Sequence, residues 1–375
     1  RSSDLSIRVI FFCIFVNIQS PSPPPMFMEA IVECVPNISE GRDSDKIERI
    51  IEVVRSVDKC AVLGVEPDVD YNRTVITIAG APEAVKQAAF LLICKATEEI
   101  DMALHEGEHP RLGAVDVCPF IPLKGVTMEE CVDLAQSLAK QVGAECKVPT
   151  FLYGAAAMNE EKNLLSTIRK GQYEGLEARL SGGETPHSDA TRFPDFGPAE
   201  WNDNAKRSGG ITIGARGILV AYNVNIDEPD AIIAKKIGSL VRSSGRLVKK
   251  SDGRRMRING LLTMVQGMGV PLEAHGISQV SMNLRDVVQC PMHVAYEACK
   301  SIAADHGINA PGSELVGLVP LEAMLESGRW YADEGVSDEN ILVDAAIEGL
   351  GLSNLDVFEP DSRIIEWALN KAVSQ

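Results

Sequence analysis

An α+β fold, an α/β sandwich in two similar halves, is what this sequence predicts. Three observations carry the expectation. Apolar runs of strand length alternate with amphipathic helical patterns, the alternation starts again after one irregular stretch, and the composition is that of a globular chain. Of 375 residues, 45% are hydrophobic and 24% charged, which excludes a disordered chain and suffices for one large core or two ordinary ones.

The elements follow in order. "AIVECVPNISEG" reads as a strand entering a loop, and "DSDKIERIIEVVRSV" as a helix with Ile47, Ile50, Ile51 and Val54 at helical spacing. "CAVLGVEPD" and "RTVITIAGAP" are strands joined by a polar loop. "PEAVKQAAFLLICKATEEI" is a helix with Pro82 near its start. "AVDVCPFIPL" is a strand, "TMEECVDLAQSLAKQVGAE" a helix capped by Thr127 with Glu130 completing a capping box, and "VPTFLYG" a strand. Strand–helix–strand–strand–helix–strand is the ferredoxin-like order.

Residues 181–210 are rich in Gly, Pro, Ser and Asp and have no period, as expected of a functional loop or linker. Beyond them "ITIGARGILVAYNVNI" reads as a strand and "EPDAIIAKKIGSLVRSSG" as a helix. "LLTMVQGMGV" and "ISQVSMNLRD" are strands, and "PMHVAYEACKSIAADHG" and "NILVDAAIEGLGL" helices. Two such halves suggest a crevice between them.

A net charge of −17 argues against nucleic acid and anionic membranes, since phosphate binding needs a basic stripe and none is expected. An anionic substrate would need a local cluster of cations. The 9 Cys are scattered without a C-x-x-C pair, which fits a reducing, cytoplasmic compartment. The apolar run Val9 to Val16 near the N-terminus is shorter than the about 20 residues that span a bilayer. Residues 1–27 are therefore read as an extraneous or targeting segment outside the fold.

Chemistry concentrates in "HEGEHPRLGAVDVCPFIP", residues 105–122. His105 and His109 stand at i, i+4, a zinc-site spacing, but Gly107 and Pro110 break the helix that spacing requires, and no third ligand is evident. No metal is expected. The stretch is either a plain turn or a loop presenting a titrating imidazole beside Arg111. "EPDVDYNRT" imitates half of a calcium loop, yet Arg73 occupies the glycine position and Ala79 the final carboxylate position. It is a hairpin tip or a polar wall with Asn72 and Arg73. "VPNISEGR" is a helix entry, capped by Ser39 or Ser44, or it presents Asn37, Ser39, Glu40 and Gly41 to a cleft. Walker A, G-x-G-x-x-G and G-x-S-x-G motifs do not occur.

Taken together, "ECVPNISEGRD", "NRTVITIAG", "GEHPRLGAVDVCPFIPLKGVTMEEC", "PDFGPAEW", "GITIGAR", "LVAYNVN", "SQVSMNL" and "GSELVGLVPLEAM" resemble the glutamate formiminotransferase family along almost the whole chain. The resemblance implies two ferredoxin-like subdomains, 28–215 and 216–375, with a folate-binding crevice between them, in a homodimer. It implies formimino transfer from N-formiminoglutamate to tetrahydrofolate, the co-substrate. The family's catalytic histidine falls on His109 and its acidic partner on Glu66, where Asp is typical. The folate segment falls on Gly197, Pro198, Ala199, Glu200, Ser208, Gly209 and Gly210, and is longer here. The cyclodeaminase domain of bifunctional members is not expected after "RIIEWALNKAVSQ".

One imidazole with a pKa near the operating pH can take the proton that folate N5 sheds and return it to the departing glutamate amine. Asn37, Asn72, Arg73 and Arg111 are candidates for holding substrate, the arginines for its carboxylates. His105 is expected to have no direct role. Two other readings remain, an enzyme acting on 5-formyltetrahydrofolate and a non-catalytic folate-binding scaffold. Deleting residues 1–25 is expected to leave a folded, active protein, checked by circular dichroism and turnover of the shortened chain.

Overall fold

The computed structural model describes residues 29–373. The expectations for residues 1–27 lie outside that range. The first lobe runs β1 (Ile31–Cys34), β2 (Asn37–Ile38), α1 (Ser44–Arg55), β3 (Cys60–Asp68), β4 (Arg73–Gly80), α2 (Pro82–Glu99), β5 (Val115–Lys124), α3 (Met128–Glu145) and β6 (Thr150–Gly154). After Glu160–Lys162, a 3-10 turn, come α4 (Leu165–Ile168), α5 (Leu176–Leu180), α6 (Asp189–Arg192), α7 (Asp203–Ser208) and β7 (Ile211–Ala215).

β1 and β2 are two pieces of one strand between β4 and β5, and β3 pairs β4. That is ferredoxin-like order. β7 and β6 extend the sheet beyond β5, and both of the pairings they add are parallel.

The second lobe contains β8 (Val220–Ile226), α8 (Ile232–Val241), a hairpin of β9 (Arg246–Lys249) and β10 (Arg255–Ile258), β11 (Val265–Leu272), β12 (Ile277–Leu284), α9 (Met292–Ala304) and β13 (Ser313–Val316). Its antiparallel sheet has the order β11-β12-β8-β13, ferredoxin-like again. α10 (Leu321–Tyr331), α11 (Glu339–Leu350), α12 (Pro360–Arg363) and α13 (Ile365–Val373) complete it.

The local signals act as expected. Ile47, Ile50, Ile51 and Val54 of α1 are all buried. α3 begins with the Thr127–Glu130 capping box. Four expectations are corrected, and one element is added. Asp43 caps α1 by accepting from the Lys46 N–H at 2.9 Å, while Ser39 instead donates to the Gly113 carbonyl at 2.8 Å. "ITIGARGILVAYNVNI" is two strands in two different sheets, because Ile211, Ile213 and Ala215 pack into the first core and Val220, Tyr222 and Val224 into the second. The irregular stretch 181–210 contains α6 and α7. The hairpin β9–β10 was not foreseen, and it supplies the basic stripe that the net charge seemed to deny. The C-terminal "IIEWALNKAV" forms α13, which lays Ile365 and Leu369 against Ile31 and Ala79 on the open face of the first sheet.

Losing the Thr127 cap exposes an unsatisfied N–H at the start of α3. Thr127→Ala is expected to cost about 1 kcal/mol, read as a lowered denaturation midpoint, with Thr127→Ser close to the parent.

Candidate functional site

Antiparallel pairing brings the end of β2, the β3–β4 turn and the start of β5 to one end of the first sheet, so three loops meet there. Asn72 joins them. It sits in the left-handed region at φ 48°, its Oδ1 accepts from the Gly41 N–H at 2.9 Å, and its Nδ2 donates to the Glu106 carbonyl at 2.8 Å. The approach excludes side chains: a Cβ on Gly41 would lie 2.2 Å from the Asp68 carbonyl oxygen, and one on Gly107 2.5 Å from that of Tyr71.

His105 extends this tie. The Arg111 Nε–H donates to His105 Nδ1 at 3.1 Å, so Nδ1 is an acceptor and the Nε2–H donates to the Asn72 carbonyl at 3.0 Å. The ring is a neutral spacer, and burial with Arg111 nearby holds its pKa below the ordinary value. Arg111 is 6% exposed; it also pairs with Glu174 at 2.6 Å and donates to the His105 carbonyl. All three guanidinium nitrogens are therefore engaged. Arg111 and Asn72, expected to hold substrate, are committed to holding the loops.

His109 differs. It is half-buried, edge-on to Tyr71 with ring centroids 6.4 Å apart, and no hydrogen bond to its ring is found among the described residues. Burial lowers its pKa to about 4, and the guanidiniums of Arg73, Arg169 and Arg111 push the same way. The expectation of an imidazole near neutral pH is corrected for the unliganded chain: the surrounding cations penalise its protonation.

Arg169 and Asp116 were missed. Asn37 stands opposite Val117 and Ile38 opposite Val115, which makes Asp116 the extra residue of a β-bulge. Asp116 is 1% exposed, accepts from the Leu112 N–H at 2.8 Å and pairs with Arg169. Burial pushes its carboxyl up, against the opposing effect of Arg169. A carboxylate within an apolar strand signals a buried partner, but nothing local marked Arg169 as that partner. The Nε atoms of Arg73 and Arg169 are buried without a hydrogen-bond partner among the described residues. Two guanidiniums near an imidazole, each with a buried unused donor, could receive an anion if the site opens to it.

The remaining candidates are placed as follows. Asn37 Nδ2 donates to the Val35 carbonyl at 3.1 Å. Glu66 is exposed on β3, across from Val75, and no hydrogen bond or ion pair joins it to His109 among the described residues. A Cβ on Gly317 of the second lobe would lie 3.7 Å from Glu66 Oε1. Gly197, at φ 80°, leaves no room for a side chain against Val148, Pro198 is half-buried, and Ala199 and Glu200 are exposed. Ser208 Oγ donates to the Asn204 carbonyl at 2.9 Å. Gly209 and Gly210 cross the chain at Leu112–Gly113, where a Cβ on Gly113 would meet the Gly210 carbonyl at 2.4 Å. This crossing sets the segment beside the loop carrying His109. Trp201 and Arg111 flank Tyr173 there, at 6.1 and 6.0 Å. Among the described residues no group of three His, Cys, Asp or Glu could hold a metal ion.

Residues 31–216 match the model of the formiminotransferase domain, N-terminal subdomain, and residues 221–370 that of the formiminotransferase domain. A glutamate formimidoyltransferase of Thermoplasma acidophilum is 38% identical over 321 residues, covering 85% of this chain and 98% of the relative. One of Streptococcus pyogenes is 36% identical over 81% of this chain and 94% of its own length. A formimidoyltransferase-cyclodeaminase of Dictyostelium discoideum is 40% identical over 92% of this chain but only 61% of its own, so the chain spans about three fifths of such bifunctional relatives. The chain belongs to the formiminotransferase family.

Histidine titrations followed by NMR are expected to place the His109 midpoint near pH 4, and to move it upward in Arg169→Met as one repelling charge is lost. His105→Ala should destabilise the protein by about 1–3 kcal/mol, since buried Arg111 Nε loses its acceptor. Thermal unfolding checks the second outcome.

Proposed function

We propose that this chain transfers the formimino group of N-formimino-L-glutamate to N5 of tetrahydrofolate, giving 5-formiminotetrahydrofolate and glutamate. The observation that carries the reading is His109, half-buried and, among the described residues, without a hydrogen-bonded partner, near guanidiniums with unused donors. Relatives named glutamate formimidoyltransferase support the substrates.

The chemistry follows from this arrangement. The donor carries two carboxylates. Arg73 and Arg169 take one of them, and their neutralisation lifts the cationic penalty on His109. The imidazole becomes a stronger base once substrate is bound, although burial, the largest cause of its low pKa, remains. His109 then accepts the proton from N5 as the N5–carbon bond forms. It returns that proton to the glutamate nitrogen as the carbon–nitrogen bond to glutamate breaks. Glu66, where β3 meets Gly317, supplies a carboxylate for the protonated formimino carbon. The segment Gly197–Gly210, with Trp201 and Tyr173, forms the folate side, and Asn37 lines the cleft floor.

The functional unit is the pair of subdomains 28–215 and 216–375, a division supported by the change of sheet between Ala215 and Val220. It works as a cytoplasmic homodimer. Its free cysteines fit a reducing compartment, and among the described residues no helix is long and apolar enough to cross a membrane.

Absorbance of 5-formiminotetrahydrofolate, with formiminoglutamate offered against 5-formyltetrahydrofolate, tests the reaction. Turnover of only the second donor would overturn it. His109→Ala is expected to lower kcat by about 10²–10⁴ with folding intact. Arg73→Ala and Arg169→Ala should raise KM for the donor, a loss of about 1.5–3 kcal/mol. The acid limb of kcat/KM should lie near the free-enzyme midpoint of about 4, and that of kcat at higher pH.

A further inference from the structure

The cysteines have no part in the reaction proposed above, and their surroundings differ. Cys131, Cys290 and Cys299 are buried in the two cores. Cys34 and Cys118 lie with their Sγ atoms 3.5 Å apart on the neighbouring strands β1 and β5, both fully buried. Cys60 is half-buried, its thiol donates to the Val57 carbonyl at 3.4 Å, and burial pushes its pKa up to about 11. Cys94 and Cys146 are both half-buried and face the same cavity.

That cavity holds about 590 Å³ and is walled also by Glu98, Glu145 and, from α7, Asn204 and Arg207. Cys94 stands near the C-terminal end of α2, and Cys146 is the residue that ends α3. Helix α7 bridges them. Asn204 Nδ2 donates to the carbonyls of Cys146 and Lys147 at 3.2 and 2.7 Å, and Arg207 donates to the Glu98 carbonyl. The approach of the two thiols is therefore fixed by three elements and not by side-chain rotamers alone. Hydrogen bonding from the Cys146 thiol holds the Cys94 thiol below its ordinary pKa, against burial and the carboxylates of Glu145 and Glu98. The same contact, with burial, pushes the Cys146 thiol well up. One sulfur is favoured as the attacking thiolate, and the other keeps its proton until the first has reacted.

We propose that Cys94 and Cys146 form a thiol–disulfide exchange site whose co-reactant is a small aliphatic disulfide of the glutathione class, admitted by the cavity between α2, α3 and α7. The Cys94 thiolate attacks one sulfur of the small disulfide. That S–S bond breaks, one half leaves as a thiolate that takes up a proton, and the other half stays bonded to Cys94. Cys146 then gives up its proton and attacks the Cys94 sulfur. The mixed S–S bond breaks and the second half leaves, again taking up a proton. Two electrons pass from the cysteine pair to the small disulfide, so one protein disulfide and two small thiols are formed. Excess small thiol reverses both steps. In a reducing compartment such a bond is transient and follows the thiol–disulfide balance around it. The site is independent of the reaction proposed above.

Access decides between the two cysteine pairs. The Cys34 and Cys118 sulfurs are sealed within the first core, where no small disulfide reaches them. Cys94 and Cys146 are approached from solvent through the cavity. A disulfide bond is about 2.05 Å long, so the sulfurs must close on one another. The turn after α3 is where that movement is accommodated: the chain leaves the helix at Cys146 and reverses at Lys147, which sits in the left-handed region at φ 56°.

The test equilibrates the folded whole chain with glutathione and glutathione disulfide at ratios from reducing to oxidising. The remaining thiols are then alkylated and the chain is mapped by mass spectrometry without reduction. The expected result is one protein disulfide, Cys94–Cys146, that forms as the proportion of glutathione disulfide rises and is lost on return to excess glutathione. Cys34 and Cys118 should stay reduced throughout. Cys146→Ser, its fold checked by circular dichroism, should stop at the mixed disulfide of Cys94 with glutathione. In the reduced chain at neutral pH, iodoacetamide should modify Cys94 at least about tenfold faster than Cys60. The proposal is overturned if Cys94 and Cys146 stay reduced at the most oxidising ratio, or if the bond formed joins a different pair. It is equally overturned if Cys146→Ser carries no glutathione on Cys94, or if Cys60 is alkylated as fast as Cys94.

Discussion

The site depends on the two hydrogen bonds of one side chain. Asn72 ties the Gly41 N–H to the Glu106 carbonyl and so joins loops that are separated by more than thirty residues on either side. The backbone approach this requires leaves no space for a Cβ at Gly41 or Gly107. His105 and Arg111 continue the tie to Glu174. Each is a buried polar group whose partners are all specified, and loss of one leaves the next unsatisfied. The loop bearing His109 is therefore held from both sides, while no hydrogen bond to the His109 ring is found among the described residues. A rigid surround and an uncommitted imidazole suit a group that must accept a proton and then return it.

Charge is distributed with the same economy. A chain of −17 is a poor host for a dicarboxylate, and the site reverses the local sign with Arg73 and Arg169. Arg169 can be half-buried because Asp116 is buried beside it, on a bulge that takes the carboxylate out of the regular alternation of β5. The same cations suppress protonation of His109. Among the described residues, the second concentration of cations, on the hairpin, makes one ion pair, Arg254 with Asp252.

The lobes are joined by apolar contact. α13 returns from the second lobe to cover the open face of the first sheet, meeting Ile31 and Ala79. Glu33 lies on that strand, and burial pushes its carboxyl up to about 7 against the opposing pull of Arg216. A titratable group sits within the joint.

Much of the fold was legible in short range. Periodicity located the helices that carry Ile47 to Val54 and the capped start at Thr127, and strand runs fell on Cys60–Asp68 and Val115–Lys124. The loop with His109 stood out because histidine, proline and arginine coincide before an apolar strand. Sequence by itself determined which segments bury one face and where a titrating side chain lies. It did not determine that Ile211–Ala215 and Val220–Ile226 belong to different sheets, since both are short buried runs and pairing is a long-range choice. Nor did it separate Arg111 from Arg169. Both are lone arginines in polar loops, but the first is engaged by His105 and Glu174 and the second, among the described residues, keeps a buried Nε without a hydrogen-bond partner. Which cations are engaged by the loops and which keep an unpartnered donor is decided by hydrogen bonds between distant segments, and only the tertiary structure brings those segments within reach.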